Sequence, residues 1–518
     1  MKNISRRQFS KQLGLGLSGI ALTPLTGLSP FDGTSANKPN ILFICSDQHS
    51  YKYAGFMNHP FVKTPNLDNL ANSGIVFTNT YSGQPVCVPG RTCLMTGMYA
   101  SDSSSYCNST VWDGTYPVWG SYLKDNGYKT VAFGKLDLNN EIDTGFEEIK
   151  TTHEHKQNPD ITSLFRSPLC YRVDERQGVN GKTRENFHIS DLEITNKAIE
   201  FLKAKQEKPW ALYLGYQQPH PPFEAKEEFY KIYETVDSGI REPSMDELEN
   251  LHLVYQQLSN FKKISNPIER EKIQKARTAY FGMITELDSL IGRVIASLKN
   301  SNQLENTYII YTSDHGETLG EHGLWYKNNL FESSIRVPFL ISGPDIRNNK
   351  KFDIPISHVD IVPTLLEMAN IKPPTYLRGR SLLPIAKGRS REGAELVYSE
   401  SHSEGNCTGS FMIRKGDWKY IYFTAYDGLL YNLKEDPNEK TNRYNDKECS
   451  EILSDLRNEL LSRVEPDKIT YAAFRKQKEI RDNFVKEFTK EELIGKFKKR
   501  LGKGQSETLA IQLKDGFY

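Results

Sequence analysis

Short apolar runs separated by polar stretches characterise the chain up to about residue 385. Continuous apolar runs of this length are typical of buried strands, and stretches of helical periodicity lie between them. The predicted strands are residues 40–45, 130–133, 210–214, 307–312 and 337–341, and the clearest predicted helices are residues 192–203 and 273–298. Strands that alternate with helices predict an α/β fold, in which helices cover both faces of a mainly parallel sheet.

The pattern changes after residue 385. Four short alternating segments, separated by turn residues, predict a small antiparallel sheet at residues 396–399, 410–413, 418–423 and 428–433. A helical stretch follows near residues 451–464, and the Lys- and Glu-rich tail from Lys476 is typical of a solvated amphipathic helix. We therefore predict a targeting segment at 1–36, a large α/β domain at 37–385, and a small-sheet subdomain with a helical tail at 386–518.

The N-terminus has the features of an export signal. Arg6 and Arg7 precede an apolar run at about residues 13–22, and small residues at 34–36 offer a cleavage site. The run is shorter than the ~20 residues that span a bilayer. The arrangement resembles a twin-arginine signal, which implies a periplasmic or secreted protein and the twin-arginine export machinery as a partner. The alternative is a basic N-terminal segment that is not a targeting signal. No other apolar run in the sequence is long enough to predict a membrane span.

Composition narrows the class of protein. Hydrophobic residues make up 37% of the chain and charged residues 25%, which permits a sizeable core and excludes global disorder. The formal charge of +1 gives no sign of the clustered basic surface that general nucleic-acid binding needs, so we expect no such partner. The seven cysteines contain no Cys-x-x-Cys pair, which argues against a thiolate zinc site. Export would permit disulfides, but the sequence assigns none.

Residues capable of chemistry follow four of the predicted strands. Asp47, Lys135, His220 and Asp314 each come shortly after an apolar run. Because ligands bind beyond the carboxyl ends of the strands in open sheets of this kind, these side chains are expected to converge at one edge. The polar stretch at residues 150–190 is either a functional loop or a solvent-exposed loop without a functional role.

The segment from Cys87 to Gly97 carries the most specific signal. It reads CVPGRTCLMTG and resembles the signature of type I sulfatases, Cys-x-Pro-x-Arg followed by Leu-Thr-Gly, with Met95 in the Leu place. The resemblance extends from about residue 38 to about residue 445. It implies a sulfuric ester hydrolase with an alkaline-phosphatase-like fold, that is, a large mixed, mainly parallel sheet between helices. A structural cysteine on a turn is the alternative reading of Cys87.

In this family a formylglycine-generating enzyme oxidises the cysteine to formylglycine (3-oxoalanine). An aldehyde hydrate has two hydroxyls: one attacks sulfur and becomes sulfated, and loss of the proton from the other expels sulfate. A serine could perform the first step, but it lacks the second hydroxyl that expels the sulfate. The resemblance makes Arg91 a catalytic residue, whose donor fork would hold the hydrate.

By the same resemblance, Asp47, Asp314, His315 and the hydroxyl of residue 87 bind one divalent metal ion, which polarises a sulfate oxygen. Sulfatases commonly carry two adjacent aspartates where this chain has Ser46 and Asp47. Calcium is the metal that the family implies. His315 adds a nitrogen ligand, whereas calcium prefers oxygen, so the sequence leaves the identity of the metal open.

Four further residues match positions that contact sulfate or substrate in the family. Lys135 keeps the family lysine in Gly-Lys-Leu-Asp, a form that resembles sulfatases of 2-sulfated glucuronate, with Asp137 in place of a histidine. Lys327 matches a sulfate-contacting lysine. His220 is the candidate sulfate contact and acid for the leaving alcohol. His402, at the start of the small sheet, is a candidate at the substrate rim.

We therefore predict hydrolysis of sulfate esters on a carbohydrate, either a sulfated uronic acid or an algal polysaccharide such as ulvan. A phosphonate monoester or phosphodiester hydrolase is one alternative, because residues 320–338 also resemble those enzymes and choline sulfatases. A non-catalytic glycan-binding relative is another, but it predicts drifted catalytic positions, and those of this chain are intact. The sequence leaves open the sulfate position, endo or exo action and the oligomeric state.

Overall fold

A nine-stranded sheet forms the centre of the fold in the computed structural model. The structure describes residues 38–139, 141–151, 164, 170–239, 241–390, 395–403 and 405–515. From Pro39 onward they belong to one unit. The predicted targeting segment at residues 1–36 lies outside the described residues, as does most of the polar stretch between residues 152 and 169.

The main sheet is mixed and mainly parallel, as predicted. The strands up to residue 357 are, in chain order, β1 (Asn40–Ser46), β2 (Gly74–Tyr81), β3 (Lys129–Gly134), β4 (Glu148–Lys150), β5 (Lys182–Arg184), β6 (Trp210–Gly215), β7 (Glu224–Lys226), β8 (Thr307–Ser313), β9 (Arg336–Val337), β10 (Phe339–Ser342) and β11 (Lys350–Ser357). The sheet order is β11-β2-β10-β8-β1-β6-β3-β4, with β9 beside β2, while β5 and β7 pair separately. β1 runs parallel to β6 and β8, whereas β10 runs antiparallel to β2 and β8.

Helices cover both faces of this sheet. Those up to residue 386 are α1 (Pro65–Asn72), α2 (Cys87–Thr96), α3 (Ala100–Ser103), α4 (Trp119–Asp125), α5 (Val173–Gly178), α6 (Ile189–Lys203), α7 (Glu227–Lys231), α8 (Met245–Glu249), α9 (Leu253–Phe261), α10 (Arg270–Asn300), α11 (Glu332–Ile335), α12 (Ile361–Met368) and α13 (Leu383–Ala386). In β1, Phe43 belongs to the core that includes α4 and α12, and Ile44 to the core that includes α1, α6 and α10. A strand buried on both faces explains the continuous apolar run.

A second, four-stranded sheet follows, and it confirms the predicted antiparallel segment. β12 (Leu396–Ser401), β13 (Ser410–Lys415), β14 (Trp418–Phe423) and β15 (Tyr426–Asn432) pair in chain order. Buried Lys419 of β14 joins this sheet to the main domain, since its Nζ lies 3.0 Å from Glu332 Oε1 and 2.7 Å from Glu439 Oε1. The chain then forms α14 (Ser450–Arg463), α15 (Pro466–Glu487), α16 (Lys490–Leu501) and α17 (Lys503–Asp515).

The structure differs from the sequence predictions in two places. Pro338 lacks an N–H for a sheet ladder, and the run predicted as one strand is divided there into β9 and β10. The tail forms three helices, the first of which starts at Pro466 rather than near Lys476. The predicted domain boundary at residue 385 stays a prediction. Among the described residues, no helix has the length and apolar character that a bilayer crossing requires.

Candidate active site

The carboxyl ends of adjacent parallel strands bring the predicted residues together. Asp47 follows β1, Asp314 follows β8, and Lys135 follows β3. β1 and β8 pair along their full length, up to Ser46 opposite Ser313, so the two aspartates leave the sheet side by side. All three side chains are buried. The predicted convergence at one edge of the sheet is therefore present.

Cys87 enters the same place from a helix. It is the first residue of α2, which ends at Gly97 in the left-handed conformation that favours glycine (φ 72°). Gly90 lets this helix approach the strand ends, because a Cβ there would lie 2.9 Å from the carbonyl oxygen of Gln84 and 3.0 Å from that of Asp314. Gly90 thus has a steric reason, and the thiol is placed at a helix N-terminus, where a negative charge is favoured.

Four buried side chains offer ligand atoms to one point. The ligand atoms of Asp47, Cys87, Asp314 and His315 lie within 4.8 Å of one another. His315 Nε2 is 3.4 Å from Cys87 Sγ and 3.6 Å from an Oδ1 of each aspartate. His315 Nδ1 lies 3.0 Å from the carbonyl oxygen of Gly316, which can only accept, so Nδ1 carries the proton and Nε2 is available as a ligand.

The charges in this cluster fit a cation. Burial and the neighbouring Asp47 raise the pKa of the Asp314 carboxyl. Burial also opposes ionisation of Asp47, but Lys135, His220 and Lys327 prevail and hold its pKa well below the usual range. Two buried carboxylates that face an imidazole are a donor set for a divalent ion, which would relieve their mutual repulsion. The residues therefore fit the implied metal, and their chemistry does not select calcium over other divalent ions.

Two lysines flank the Cys87 thiol and its ligand partners. Lys327 Nζ lies 3.0 Å from Cys87 Sγ. Lys135 Nζ donates to Asp47 and lies 3.3 Å from Asp137 Oδ2. Burial and Asp47 raise the pKa of the thiol, but the two lysines and His315 outweigh them and bring it well below its usual value. The site thus stabilises negative charge at residue 87.

Arg91 lies beneath the cluster, fully buried on the second turn of α2. Its Nε donates to Asp314 Oδ2 at 2.9 Å, and its Nη1 donates to the carbonyl of Lys135 and, at 2.8 Å, to the hydroxyl of Tyr213. Asp137 Oδ2 is 3.7 Å from Nε. Arg91 therefore ties the ends of β3, β6 and β8 together and orients one predicted metal ligand.

A chain of polar contacts that the sequence analysis missed fixes Lys327. The ammonium donates to Gln48 Oε1 at 2.8 Å, while Gln48 Nε2 donates to Glu317. Glu317 is itself held by the backbone N–H groups of Leu319 and Tyr326, each at 2.7 Å. Gln48 and Glu317 lie one and two residues beyond predicted ligands, and that adjacency is the signal that could have identified them.

His220 lies at the half-buried edge of the site. Its Nδ1 is 2.6 Å from the carbonyl oxygen of Pro221, which leaves Nε2 to exchange a proton. The segment before it is held by Asp191, which accepts from the backbone N–H of Gln217 at 2.8 Å and of Gln218 at 3.0 Å. His220 is close enough to Asp47 to lower the pKa of that carboxyl.

His402 has a different setting from the other predicted residues. It is fully buried just beyond β12, with Nε2 3.0 Å from Glu400 Oε2. Its ring packs edge-on against Tyr106 and Phe411. These contacts place it beside the small sheet, and its predicted role at the substrate rim stays a prediction.

Two family models match this chain. A model described as Sulfatase matches residues 39–371, and one described as N-sulphoglucosamine sulphohydrolase, C-terminal, matches residues 320–465. The first match spans all of the clustered residues described above. The second spans the joint between the main sheet and the small sheet.

Individual relatives agree with these matches. Arylsulfatase K of Rattus norvegicus is 30% identical over 86% of this chain and 81% of its own length. Choline-sulfatase of Rhizobium meliloti is 31% identical over 79% of this chain and 83% of its own. The crystal structure of the phosphonate monoester hydrolase of Agrobacterium radiobacter superposes with a TM-score of 0.69 at 25% identity, over 82% of this chain and 95% of that one.

Proposed function

Because the chain belongs to the sulfatase family and is a sulfuric ester hydrolase, we propose that it removes sulfate from a carbohydrate. In this proposal Cys87 is converted to formylglycine, and Asp47, Asp314, His315 and residue 87 hold a divalent ion, for which calcium is the family's choice. The observation that carries the proposal is the buried four-residue cluster with two lysines beside it.

Each implied group supplies one kind of chemistry. A bound divalent ion would polarise a sulfate oxygen and favour an ionised hydroxyl at residue 87. The formylglycine hydrate would supply one hydroxyl to attack sulfur and a second to discharge the product. The Cys87 Sγ stands in for the attacking hydroxyl oxygen. Its position beside Lys327, at 3.0 Å, is where a developing negative charge would be held.

The residues of the chain itself have separate roles in binding sulfate, in positioning and in proton transfer. Lys327 and Lys135 would bind the sulfate oxygens and neutralise charge as the ester bond breaks. Arg91 holds Asp314 and the carbonyl of Lys135, so it keeps the ligand and the lysine in register. His220 would act as the acid in its imidazolium form: Nδ1–H stays on the carbonyl oxygen of Pro221, and Nε2–H passes to the leaving alcohol.

A carbohydrate substrate has two supports. The C-terminal match carries the name of a sulfohydrolase of an N-sulfated sugar. The Gly-Lys-Leu-Asp segment around Lys135 resembles sulfatases of 2-sulfated glucuronate. We extend the proposal to a sulfated uronic acid or an algal polysaccharide such as ulvan. Export by the twin-arginine machinery to the periplasm or beyond, where such polymers are met, is supported by Arg6, Arg7 and the apolar run after them.

Substrate competition tests the proposal. Matured protein should turn over 4-nitrophenyl sulfate with a kcat/KM at least about 100-fold above that for a phosphonate monoester or for bis(4-nitrophenyl) phosphate, a difference of about 3 kcal/mol in barrier. A screen of sulfated uronates and ulvan fragments should then find a substrate that is better still. A preference for the phosphonate or the diester would overturn the assignment.

Phosphonate monoester or phosphodiester hydrolysis is the second candidate. The combination of His315 with a single Asp47 and the likeness to the Agrobacterium phosphonate hydrolase favour it. The same competition experiment decides between the two functions.

A further inference from the structure

The last fifty residues of the described chain lie beyond the two regions that the family models match. The two family matches end at residues 371 and 465, whereas α15, α16 and α17 begin at Pro466 and end at Asp515. Residues 496–503 in this tail read KFKKRLGK and hold five cationic and no acidic side chains. We call residues 496–503 the basic tail patch. It stands out in a chain whose formal charge is only +1.

The apolar face of α16 attaches the patch beside the catalytic helix. Leu493, Phe497 and Leu501, one helical turn apart, are buried in a cluster that contains Cys107. The next residue, Asn108, accepts a hydrogen bond through Oδ1 from the backbone N–H of Val88 at 3.1 Å. Val88 is the neighbour of Cys87 on α2, so the segment that α16 covers is the one that touches the start of the catalytic helix.

A second contact reaches the active site from another direction. α16 packs against α5, and the carbonyl oxygen of Glu175 in α5 accepts from the hydroxyl of Tyr326 at 2.7 Å. Tyr326 precedes Lys327, whose ammonium lies 3.0 Å from Cys87 Sγ. On each of these two routes one intervening segment links α16 to a residue next to the site, and a helix is only ~10 Å across.

Three lysines of the patch face solvent and have no ion pair among the described residues. Lys498, Lys499 and Lys503 are exposed, and no ion pair joins them to a described carboxylate. The helix dipole favours cations in the last turn of α16, but it does not account for Lys503 beyond the helix end. The α15 lysine Lys478, in contrast, pairs with Asp482 on its own helix. The three patch lysines therefore keep their charge available to an external anion.

We propose that the basic tail patch docks the flanking part of a polyanionic, sulfated glycan chain whose terminal or neighbouring sulfate lies in the active site. The inference rests on the proposed function and deepens it, since it assigns a polymeric rather than a monosaccharide substrate. The attraction is electrostatic: each lysine near the polymer releases counterions from it, which makes binding steeply dependent on salt.

Dextran sulfate serves as the probe, both in direct binding and as an inhibitor of 4-nitrophenyl sulfate turnover. The triple variant Lys498→Gln, Lys499→Gln, Lys503→Gln should bind it about ten-fold more weakly and with a shallower salt dependence, since each exposed contact contributes about a two-fold factor. Inhibition by dextran sulfate should weaken by the same factor. The kcat/KM for the small substrate should stay within about two-fold of the wild type.

A matched variant controls for overall charge. Lys203, Lys205 and Lys299 are also exposed, but they lie at or just beyond the ends of α6 and α10, near the starts of the strands and away from the site. Replacing these three with Gln should leave dextran sulfate binding unchanged. Equal weakening by both triple variants, or by neither, would overturn the docking proposal, as would binding of the patch to phosphatidylglycerol vesicles but not to dextran sulfate. A wild type inert towards 4-nitrophenyl sulfate would count against the proposed function instead.

Discussion

The strand-end site and the C-terminal tail reach their positions by different physical routes. In the site, a local rule places each residue, because it directly follows the end of a strand, and the pairing of β1 with β8 then sets Asp47 beside Asp314. The tail has no such rule, because α16 is placed by apolar contacts with Cys107, which lies nearly 400 residues earlier in the chain. Catalytic residues that lie in local motifs can be predicted from the sequence. The positions of the segments around them depend on packing between residues that are far apart in the chain.

The largest expected effect on turnover is that of replacing Cys87, compared with replacing a cysteine whose role is structural. Cys87→Ala should lower turnover by at least ~10³-fold, because the attacking group is gone, while thermal unfolding changes little. The matched control is Cys93→Ala, two turns along the same buried helix, which should cost about 1 kcal/mol in stability and keep turnover. Steady-state kinetics and thermal melts test both. Normal turnover by folded Cys87→Ala protein would end the proposed mechanism.

The next effect tests whether the strand ends form an ion site. Asp314→Asn removes one buried carboxylate of the cluster, so bound divalent metal and turnover should both fall by at least ~10²-fold. Metal content of the purified protein, measured by elemental mass spectrometry, is the readout apart from activity. Metal content equal to the wild type would remove Asp314 from the ligand set.

A pH effect on stability addresses the joint between the small sheet and the main domain. Burial, and then repulsion from Glu332, raise the pKa of Glu439 to about 7 against the pull of Lys419. A raised pKa in the folded state means that the favourable contribution is complete below the unfolded-state pKa near 4.5 and is lost as the pH rises through about 7. Wild type should therefore lose up to about 3 kcal/mol of unfolding free energy between pH 5 and pH 8 relative to Glu439→Gln.

Urea unfolding at a series of pH values provides the measurement. Parallel pH profiles for wild type and Glu439→Gln would contradict the assignment of that titration to Glu439. Profiles that diverge between about pH 5 and pH 7 and run parallel above that, with wild type losing stability relative to the variant as the pH rises, would support the buried Glu332–Lys419–Glu439 group as the joint.

The smallest expected effect tests whether Asp137 belongs to the reacting part of the site. Asp137→Asn removes one of the carboxylates near Lys135 and Arg91, but Lys135 keeps Asp47 and Arg91 keeps Asp314. Unfolding free energy should therefore fall by about 2 kcal/mol, with kcat/KM changed less than about ten-fold. Denaturant titration and kinetics on 4-nitrophenyl sulfate measure the two. A loss as large as that of Asp314→Asn would make Asp137 part of the reaction.

The sequence predicted most of the sheet and the clustered residues for identifiable reasons. β1 is a continuous apolar run buried on both faces, and Cys87 lies in a dense local signature. The sequence pattern did not predict β2, because the polar residues Thr78, Asn79 and Thr80 interrupt its apolar run. Every position of β2 except Thr78 is nevertheless buried. Gln48 and Glu317 were missed because their role depends on a partner, Lys327, that only the fold brings close.

The central claim is that residue 87 becomes a formylglycine at the end of a buried ion site. Peptide mass spectrometry across residue 87, on protein from its native host, tests it most directly. The proposed mechanism requires a loss of about 18 Da relative to the cysteine peptide, which is the conversion of a thiol side chain to an aldehyde. An unmodified thiol in folded, exported protein would contradict the account, because the nucleophile on which the proposed reaction depends would never be made.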